Sequence, residues 1–414
     1  MSPGRPLDHA FVRARFPAFA APGQAGCLYL ESAGGSFVCH EVIERLQGYY
    51  RAFRVQPGYP YPRAQAAAEQ VEQGYARLAG YLGLPADWIH LGPSTSQNLV
   101  VLAAALASRC APGDELVISA QDHEANRGPW RRLAERQGLQ LREWPVDPRS
   151  GCLDPAALWP LLGPRTRLVA YTHCSNLVAE VHAAAALNAE LRRAGILSVV
   201  DGTALAAHGF PDLAALAADV YVFSLYKTFG PHQGLMALSP ALAMALDNQG
   251  HHFNDALLRK RLLPAGPDHP QIAAAAGIAD YFDALDAHHH PAAAPAGRAE
   301  RVRALIQSAE QALLQPLLAA VAAEPRLRLL GGTDPATRAP TLALRPVRGS
   351  ARALASALQA RGLQCAAGHF YAVRLLASLG IDPADGVLRL SLAHYNTPAE
   401  IETVIAALSA ALDG

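Results

Sequence analysis

Two residues of opposite charge follow apolar segments in the middle of the sequence, and together they suit one kind of cofactor chemistry. Asp201 ends an apolar run at residues 196–200, and Lys227 comes just after the next run, at residues 220–224. A buried lysine has a lowered pKa, so its neutral amine can attack a carbonyl carbon and form a Schiff base. A nearby aspartate can hold the proton of a pyridinium ring, and the pair therefore fits pyridoxal phosphate. A structural Asp–Lys ion pair explains the same residues, and position alone leaves the two interpretations near even.

Lysine is rare in this chain, which gives the position of each lysine more weight. Among the 35 lysine and arginine residues, Lys227 and Lys260 are the only lysines. An arginine side chain carries a positive charge but practically never loses its proton, so it cannot act as a nucleophile. Lys260 lies in the basic stretch 257–262, where arginine would serve as well. The sequence therefore favours Lys227 as the nucleophile.

Three other segments carry side chains that a phosphorylated aromatic cofactor needs. His123 follows a predicted strand and could lie flat on an aromatic ring, and Asn176 follows another strand and could reach a ring hydroxyl. Thr95 and Ser96 open a predicted helix, whose free N–H groups and hydroxyls suit a phosphate. Taken alone, each signal also fits a surface histidine, a turn asparagine or an ordinary helix cap. No G-x-G-x-x-G segment follows a predicted strand and no Walker A motif occurs, which disfavours a dinucleotide or ATP site.

The elements that must position these residues alternate between strands and helices. The predicted strands are apolar on both faces, as in a sheet covered by helices on each side. They cover residues 115–119, 167–172, 196–200, 220–224 and 235–238. Helices are predicted at 99–108, 155–162 and 183–193. This alternation predicts an α/β fold with a mostly parallel sheet, in which functional residues lie at the carboxyl ends of the strands.

The character of the sequence changes near residue 285, which predicts a second domain. Residues 284–297 are rich in His, Pro and Ala and are interpreted as a connector or a helix break; within them, His288 to His290 favour a solvated loop over a metal site. A long helix at 298–323 and an α+β pattern follow. The predicted organisation is an N-terminal segment at 1–27 packing on the small domain, a large α/β domain at 28–285, and a small C-terminal α+β domain at 286–414.

Composition and charge exclude several classes of protein. The 35 basic and 35 acidic residues cancel, so there is no overall basic field for nucleic acid. The chain is 51% hydrophobic and 17% charged, unlike a disordered chain. No apolar run reaches the roughly 18 residues of a membrane span, and residues 1–19 lack the apolar core of a secretory signal. Six cysteines without C-x-x-C spacing predict free thiols in a reducing cytoplasm.

Three motifs, and the order in which they occur, resemble those of a known protein family. They are LYLESAGG at 28–35, SLYKTFGPHQG at 224–234 and GVLRLSLAHYNT at 386–397. The chain resembles the class V aminotransferase family of fold type I pyridoxal-phosphate enzymes, in its cysteine desulfurase-like branch. The resemblance runs over most of the chain, and it implies a large mostly parallel-sheet domain with a smaller C-terminal α+β domain.

The resemblance also implies a role for individual residues. Lys227 would carry the internal aldimine, Asp201 would pair with the pyridine nitrogen, and His123 would stack on the ring. Arg389 would bind the α-carboxylate of the substrate, a role that suits a bidentate guanidinium. The implied cofactor-binding residues are Thr95, Ser96, His123, Asn176, Asp201, Ser224, Tyr226 and Lys227. The implied substrate-binding residues are Arg389, Asn176, Gly34, Tyr371 and His369, and no metal ligand is implied.

The chain departs from the desulfurase pattern at positions that matter for chemistry. Desulfurases present a cysteine on the loop that corresponds to 366–372, and this cysteine accepts sulfur as a persulfide; here Tyr371 occupies its position. Cys365 lies six residues earlier and is a doubtful substitute. Ala204 replaces a glutamine amide near the cofactor, and residues 266–268 replace a segment that lends a hydroxyl to the neighbouring subunit. Persulfide-forming desulfurase activity is therefore disfavoured.

The chain is thus predicted to form a cytoplasmic homodimer, and the family resemblance implies two active sites at the dimer interface. The predicted reaction starts from a small amino acid, which displaces Lys227 and forms a Cα carbanion; lyase chemistry, by β-elimination or C–S cleavage, is favoured. An aminotransferase or an epimerase is the alternative, the latter with Tyr371 or His369 as a second proton donor. A non-catalytic protein that binds pyridoxal phosphate is the alternative from another class. The Tyr/Arg/Pro-rich stretch 50–63 is assigned to the dimer surface in preference to the site.

Overall fold

A computed structural model describes residues 6–23 and 27–413 of the chain. Its α-helices are α1 His9–Ala14, α2 His40–Ala52, α3 Pro62–Leu82, α4 Thr95–Ala105, α5 Gly128–Gln137, α6 Ala184–Arg193, α7 Leu213–Leu216, α8 Pro240–Ala245, α9 Leu258–Arg261, α10 His269–His289, α11 Arg298–Ala322, α12 Ala351–Gln359, α13 Val373–Ser378 and α14 Pro398–Asp413. Its strands are β1 Leu28–Tyr29, β2 Ile89–Gly92, β3 Glu115–Ser119, β4 Gln140–Trp144, β5 Thr166–Thr172, β6 Leu197–Asp201, β7 Val220–Ser224, β8 Gly234–Leu238, β9 Leu327–Leu330, β10 Thr341–Pro346, β11 Leu363–Gln364, β12 Ala366–Gly368 and β13 Val387–Ser391.

A seven-stranded sheet forms the centre of the fold, in the order β2-β8-β7-β6-β5-β3-β4. Strand β8 is antiparallel to β2 and β7, and the remaining neighbours are parallel. Alternate residues of β3 pack on opposite faces: Leu116 and Ile118 join a cluster with Leu102 of α4, while Val117 joins the core that contains Leu78 of α3. The sheet is therefore covered by helices on both sides, and the predicted α/β fold class is confirmed.

The parallel strands β3, β5, β6 and β7 end at one edge of this sheet. In an open parallel sheet, ligands bind in the crevice outside the carboxyl ends of the strands. The segments that carry His123, Asn176, Asp201 and Lys227 each begin at such an end. The fold thus places these four predicted site residues at a common edge.

A second, antiparallel sheet lies in the C-terminal part, in the order β12-β13-β10-β9. Its core joins leucines of β10 and β13 to leucines of α11 and α12. Strand β1 pairs in parallel with β11, so Leu28 and Leu30 join the same core. Residues 1–5 and 24–26 of the predicted N-terminal segment lie outside the described residues, and the domain boundaries at 27 and 285 stay predictions.

The structure corrects two interpretations of local sequence. Helix α10 runs to His289 and α11 begins at Arg298, so residues 284–289 are helical and the helix break is confined to 290–297. His288 lies 3.0 Å from the Asp8 carboxylate, His289 accepts the backbone N–H of Asp8 at 2.9 Å, and His290 contacts Asp286 at 3.0 Å. The solvated-loop interpretation of these histidines is therefore wrong, because Asp8 and Asp286 give each of them a partner.

The predicted helix at 155–162 is also wrong. This region forms two separate 3-10 turns, Pro155–Ala157 and Trp159–Leu161. Pro160 lies inside the second turn and has no N–H to donate, which prevents a continuous α-helix. No helix among the described residues has the length and hydropathy needed to cross a membrane.

Candidate functional site

Lys227 lies in a short 3-10 turn, Leu225–Lys227, that leaves the end of β7. Its side chain is buried, and among the described residues no hydrogen bond or salt bridge holds its amine. Burial lowers the pKa of Lys227 to about 8, and repulsion by Arg389 adds to this effect, whereas attraction by Asp201 and Glu31 opposes it. A substantial neutral fraction of this amine near neutral pH suits a nucleophile and a base.

Asp201 is the last residue of β6 and is almost entirely buried. One carboxylate oxygen accepts the backbone N–H of Thr203 at 2.9 Å. Burial raises the pKa of Asp201, while the Thr203 hydrogen bonds and the charge of Lys227 oppose the rise. Lys227 attracts this carboxylate at a distance but forms no salt bridge with it in the described structure, so the ion-pair interpretation loses support. A buried carboxylate charge is costly unless a cation pairs with it. A protonated ring nitrogen would be a suitable cation for Asp201.

His123 begins a 3-10 turn after β3, and its Nδ1 accepts the backbone N–H of Ala125 at 3.0 Å. Its ring centroid lies 5.0 Å from that of Tyr371, with the two planes tilted by 36°. Burial, followed by the charges of Lys227 and Arg389, lowers the pKa of His123 to about 3. His123 is therefore a neutral ring near neutral pH, with its proton on Nε2.

The neutral state of His123 leads to a prediction about its role. Replacing His123 by phenylalanine should keep cofactor affinity within about threefold, because a flat ring still covers the same surface. A general acid or base would instead contribute roughly 10²–10⁴-fold to the rate. Cofactor binding to the apoprotein and the rate with a reactive amino acid measure the two effects separately. A loss of rate beyond about a hundredfold with unchanged cofactor affinity would contradict a purely stacking role.

The start of α4 forms a polar cradle beside the end of β7. Thr95 and Ser224 are buried, and their hydroxyl oxygens lie 2.8 Å apart. Ser96 follows Thr95 and is exposed in the first helical turn. A Cβ atom at Gly234 would lie 2.2 Å from the backbone nitrogen of Thr95, so glycine allows β8 to pass close to this helix start. Hydroxyls and helix N–H groups at one point suit a phosphate.

Tyr226, the remaining predicted phosphate neighbour, directly precedes Lys227. Its ring stacks on that of His232 with centroids 4.9 Å apart. Burial raises the pKa of Tyr226, so its hydroxyl stays protonated and can donate a hydrogen bond.

Arg389 lies in β13 and is 3% exposed. Its guanidinium carbon lies 3.9 Å from the centre of the Phe370 ring, and Nη1 donates to the backbone carbonyl of Asn176 at 3.3 Å. Its Nε has no partner among the described residues. The Asn176 side chain donates to the carbonyl of Phe370 at 2.8 Å, and its Oδ1 is buried without a partner in the described structure. Arg389 Nε and Asn176 Oδ1 therefore retain an unused donor and an unused acceptor for a ligand.

The loop after β12 carries the two other predicted substrate residues. The backbone N–H of Tyr371 donates to Nδ1 of His369 at 3.0 Å. The backbone carbonyl of Tyr371 accepts the N–H of Glu124 at 2.9 Å. Phe370 and Tyr371 adopt positive φ angles of 46° and 60°. The Tyr371 side chain is 63% exposed, next to the His123 ring. Cys365 is buried, and burial raises the pKa of its thiol to about 11, so it is not an activated nucleophile.

Two acidic residues at the site carry no assignment from the sequence. Glu31 Oε2 lies 3.5 Å from Arg389 Nη2. Glu31 belongs to the motif at 28–35, and that motif is the sequence signal that could have indicated a role for it. Asp122 directly precedes His123, is fully buried, and contacts Ser119 at 2.5 Å and Asn126 at 3.0 Å. Burial raises the pKa of Asp122 to about 7, and the charge of Asp201 contributes to the rise. Asp122 is thus largely a neutral acid below neutral pH, held by Ser119 and Asn126.

These groups together fit pyridoxal phosphate. The buried lysine, the unpaired buried aspartate, the flat neutral histidine and the hydroxyl cradle match its aldehyde, ring nitrogen, ring face and phosphate respectively. Gly34 lies at the side of the Arg389 guanidinium, where an added Cβ would be 3.4 Å from Nη2. Among the described residues no cluster of three or more metal-binding side chains is found.

Comparisons with known sequences and structures identify proteins that the chain resembles. The profile of the aminotransferase class-V family matches residues 28–243 and 299–404. The chain is similar to an aminotransferase-like protein FGM3 of Gibberella zeae, at 34% identity over 97% of this chain and 98% of that protein. It is also similar to a probable cysteine desulfurase of Pseudomonas aeruginosa, at 32% identity over 97% of this chain and 98% of that protein. The fold resembles the crystal structure of the cysteine desulfurase CsdA of Escherichia coli, with a TM-score of 0.82, 24% identity and 99% coverage of both chains.

Proposed function

The chain belongs to the class V aminotransferase family of pyridoxal-phosphate-dependent enzymes, and on that premise we propose that it converts a small amino acid without forming an enzyme persulfide. The favoured reaction is a lyase reaction, in which a leaving group departs from Cβ. The absence of a persulfide is supported by the loop that presents the cysteine in desulfurases, which has Tyr371 at that position here. Cys365, six residues earlier, is buried, and its thiol pKa is raised.

We assign the residues that hold the cofactor from the contacts above. Lys227 would bind its aldehyde carbon, and Thr95, Ser96 and Ser224 would bind its phosphate. Asp201 keeps a proton on the ring nitrogen. When bound, pyridoxal phosphate supplies an electron sink for the electron pair that a departing proton leaves at Cα. Asp201 supports this chemistry because its buried carboxylate stabilises a positive charge nearby.

Two further residues are assigned to the substrate, one for binding and one for proton transfer. Arg389 binds the α-carboxylate of the amino acid, and the Phe370 ring shields the guanidinium from water. Lys227, as a neutral amine, would remove the proton from Cα. Its lowered pKa of about 8 suits this step, because a general base works best when its pKa is near the operating pH.

Three alternative outcomes separate after the proton has left Cα. Elimination requires a leaving group on Cβ, whereas transamination requires reprotonation at the cofactor carbon. Epimerisation requires a donor on the opposite face, for which the exposed hydroxyl of Tyr371, or His369, is the candidate. A protein that binds the cofactor without turnover is the alternative from another class.

A substrate screen tests the proposed function. The holoenzyme is incubated with small amino acids that carry thiol, hydroxyl or chloro groups on Cβ, and the release of sulfide, pyruvate and ammonia is measured. We expect pyruvate and ammonia from at least one of them. Conversion of an added keto acid would instead identify an aminotransferase, and inversion at Cα an epimerase. If no amino acid changes the absorption of the bound cofactor, the protein is not an enzyme of this type.

Replacing Cys365 by alanine tests the absence of a persulfide. We expect the rate of any sulfide or pyruvate release to stay within about twofold of wild type, because the buried thiol has no part in the reaction. Mass spectrometry of the enzyme after turnover with cysteine should show no added sulfur at Cys365. A sulfur adduct on Cys365 in wild type, together with a large loss of rate in the alanine variant, would indicate desulfurase chemistry.

We also propose that the chain forms a homodimer. The described structure leaves Val100, Met244, Phe253 and Leu257 exposed, and a cavity of about 570 Å³ between α4 and residues 262–268 has a mostly apolar wall. A neighbouring cavity of about 470 Å³ brings part of the stretch 50–63 beside residues 266–270. Light scattering should give twice the mass of one chain.

All six cysteines are free thiols, which supports a cytoplasmic location.

A further inference from the structure

Glu31 is fixed beside the carboxylate-binding arginine by backbone contacts. It forms an isolated parallel bridge with Ser391, whose N–H donates to the carbonyl of Leu30 at 2.8 Å. Arg389 lies two residues before Ser391 on β13, and therefore on the same face of that strand. This pairing brings the Glu31 side chain to Arg389 although the two residues are 358 positions apart.

The contact between Glu31 and Arg389 is incomplete on both sides. Glu31 Oε2 and Arg389 Nη2 are 3.5 Å apart, well beyond the 2.7–2.9 Å of a good charge-assisted pair. Glu31 Oε1 is buried without a partner among the described residues. Arg389 makes one other long contact, to the Asn176 carbonyl, and its Nε is also without a partner there. Both side chains therefore retain bonding capacity that a ligand between them would use.

Gly34 keeps this side of the pair accessible. A Cβ atom at position 34 would lie 3.3 Å from Glu31 Oε2 and 3.4 Å from Arg389 Nη2. Any larger side chain would therefore cover both groups. The glycine leaves the space in which a carboxylate can approach Arg389, and a carboxylate in that space also meets Glu31.

We propose that Glu31 is a second binding residue for the substrate: it takes up a proton from solvent when an α-carboxylate binds Arg389, and its neutral carboxyl group then donates a hydrogen bond to that carboxylate. This inference rests on the proposed function, which places the substrate carboxylate at Arg389. Two carboxylates that share one guanidinium repel each other, which favours the protonated form of one of them. In the protonated form one carboxyl oxygen of Glu31 carries a hydrogen that it can donate to the ligand, and the full charge of Arg389 is left for the ligand.

The groups around Glu31 favour this proton uptake. Burial raises its pKa, whereas Arg389 and Lys227 oppose the rise. A bound carboxylate cancels much of the Arg389 charge, so the pKa of Glu31 rises further in the complex. Tyr29 and Cys365 also face Glu31, but their pKa values are raised to about 12 and about 11, so both stay neutral near neutral pH. Lys227 is the remaining charged group that faces Glu31, so comparison of wild type with Glu31→Gln is needed to assign a pH dependence to Glu31.

Propionate is a suitable probe because it has a carboxylate but no amine to react with the cofactor. Its dissociation constant for the holoenzyme is measured by ligand-observed NMR from pH 6 to 9. We expect the wild-type Kd to rise with pH by up to about tenfold per unit, since binding takes up one proton. Glu31→Gln has a neutral donor at every pH, so its Kd should be constant and lower than wild type at pH 9 by about tenfold or more. Glu31→Ala should also be independent of pH, but weaker than Glu31→Gln by about two- to tenfold, because it lacks the donor.

Glu310→Gln is the matched control. Glu310 is another buried glutamate with a raised pKa, but it lies in α11 and contacts His208 at 3.0 Å. It should keep the wild-type pH dependence. If Glu31→Gln shows the same rise of Kd with pH as wild type, the inference is wrong. If amino acids react with the holoenzyme while propionate binding is independent of pH in wild type, only the role of Glu31 fails. If neither propionate nor any amino acid binds, the proposed function fails with it.

Discussion

Replacing Lys227 by alanine is expected to lower amino-acid turnover by about 10³-fold or more, because one side chain then loses both its nucleophilic and its proton-transfer role. The amine lies buried at the end of β7 without a hydrogen bond among the described residues, and its pKa is lowered to about 8. Steady-state rates with a reactive amino acid measure the loss. Borohydride reduction followed by peptide mapping should attach the cofactor to the Lys227 peptide in wild type and to no peptide in the variant.

Lys260→Ala is the control that this chain offers, since Lys260 is the other lysine of the sequence. It lies exposed in the short helix α9, next to Arg259 and Arg261. Its replacement should leave turnover within about twofold of wild type, as is usual for an exposed charge. Lys227→Arg is a second test: it keeps the positive charge but cannot lose a proton, so it should be as inactive as the alanine variant. Cofactor trapped on Lys260 in place of Lys227 would show that the lysine assignment is wrong.

Much of this site could be predicted from the sequence because its chemistry follows local hydrophobic patterns. The runs at 115–119 and 220–224 form β3 and β7 with the same bounds. Since β6 and β7 are consecutive and adjacent in the sheet, Asp201 and Lys227 had to end at the same edge. A short crossover connection between parallel strands fixes that arrangement with little influence from the rest of the chain.

Contacts between distant segments could not be predicted in the same way. Glu31 reaches Arg389 only because β1 pairs with β11 and residue 31 bridges to Ser391. Asp122 follows β3 as a polar residue, and nothing local indicates that it is completely buried next to Asp201. The end of α10 depends on Asp8, some 280 residues away, which gives His288 and His289 their partners. Local composition describes none of these pairings.

Replacing Asp201 by asparagine is expected to reduce turnover by about 10²–10⁴-fold, the effect of removing one partner of a buried charge pair, about 3–5 kcal/mol. Asparagine has nearly the same shape and can still accept the Thr203 N–H, so the fold of this turn should be retained. What it loses is the negative charge that holds a proton on the ring nitrogen. Cofactor affinity should fall much less than the rate, because Lys227, Thr95 and Ser224 remain.

The same substitution has a second consequence that separates an electrostatic role from a structural one. The charge of Asp201 raises the pKa of Lys227, so its removal should lower that pKa further below about 8. A larger fraction of the amine is then neutral at pH 7, and the apoprotein should react faster with pyridoxal phosphate at that pH. The pH at which this rate reaches half its maximum should shift downwards. Asp219→Asn is the control, because Asp219 bonds to Ser198 near the start of β6, at the opposite edge of the sheet. An equal shift in both variants would mean that Asp201 acts through stability and not through its charge.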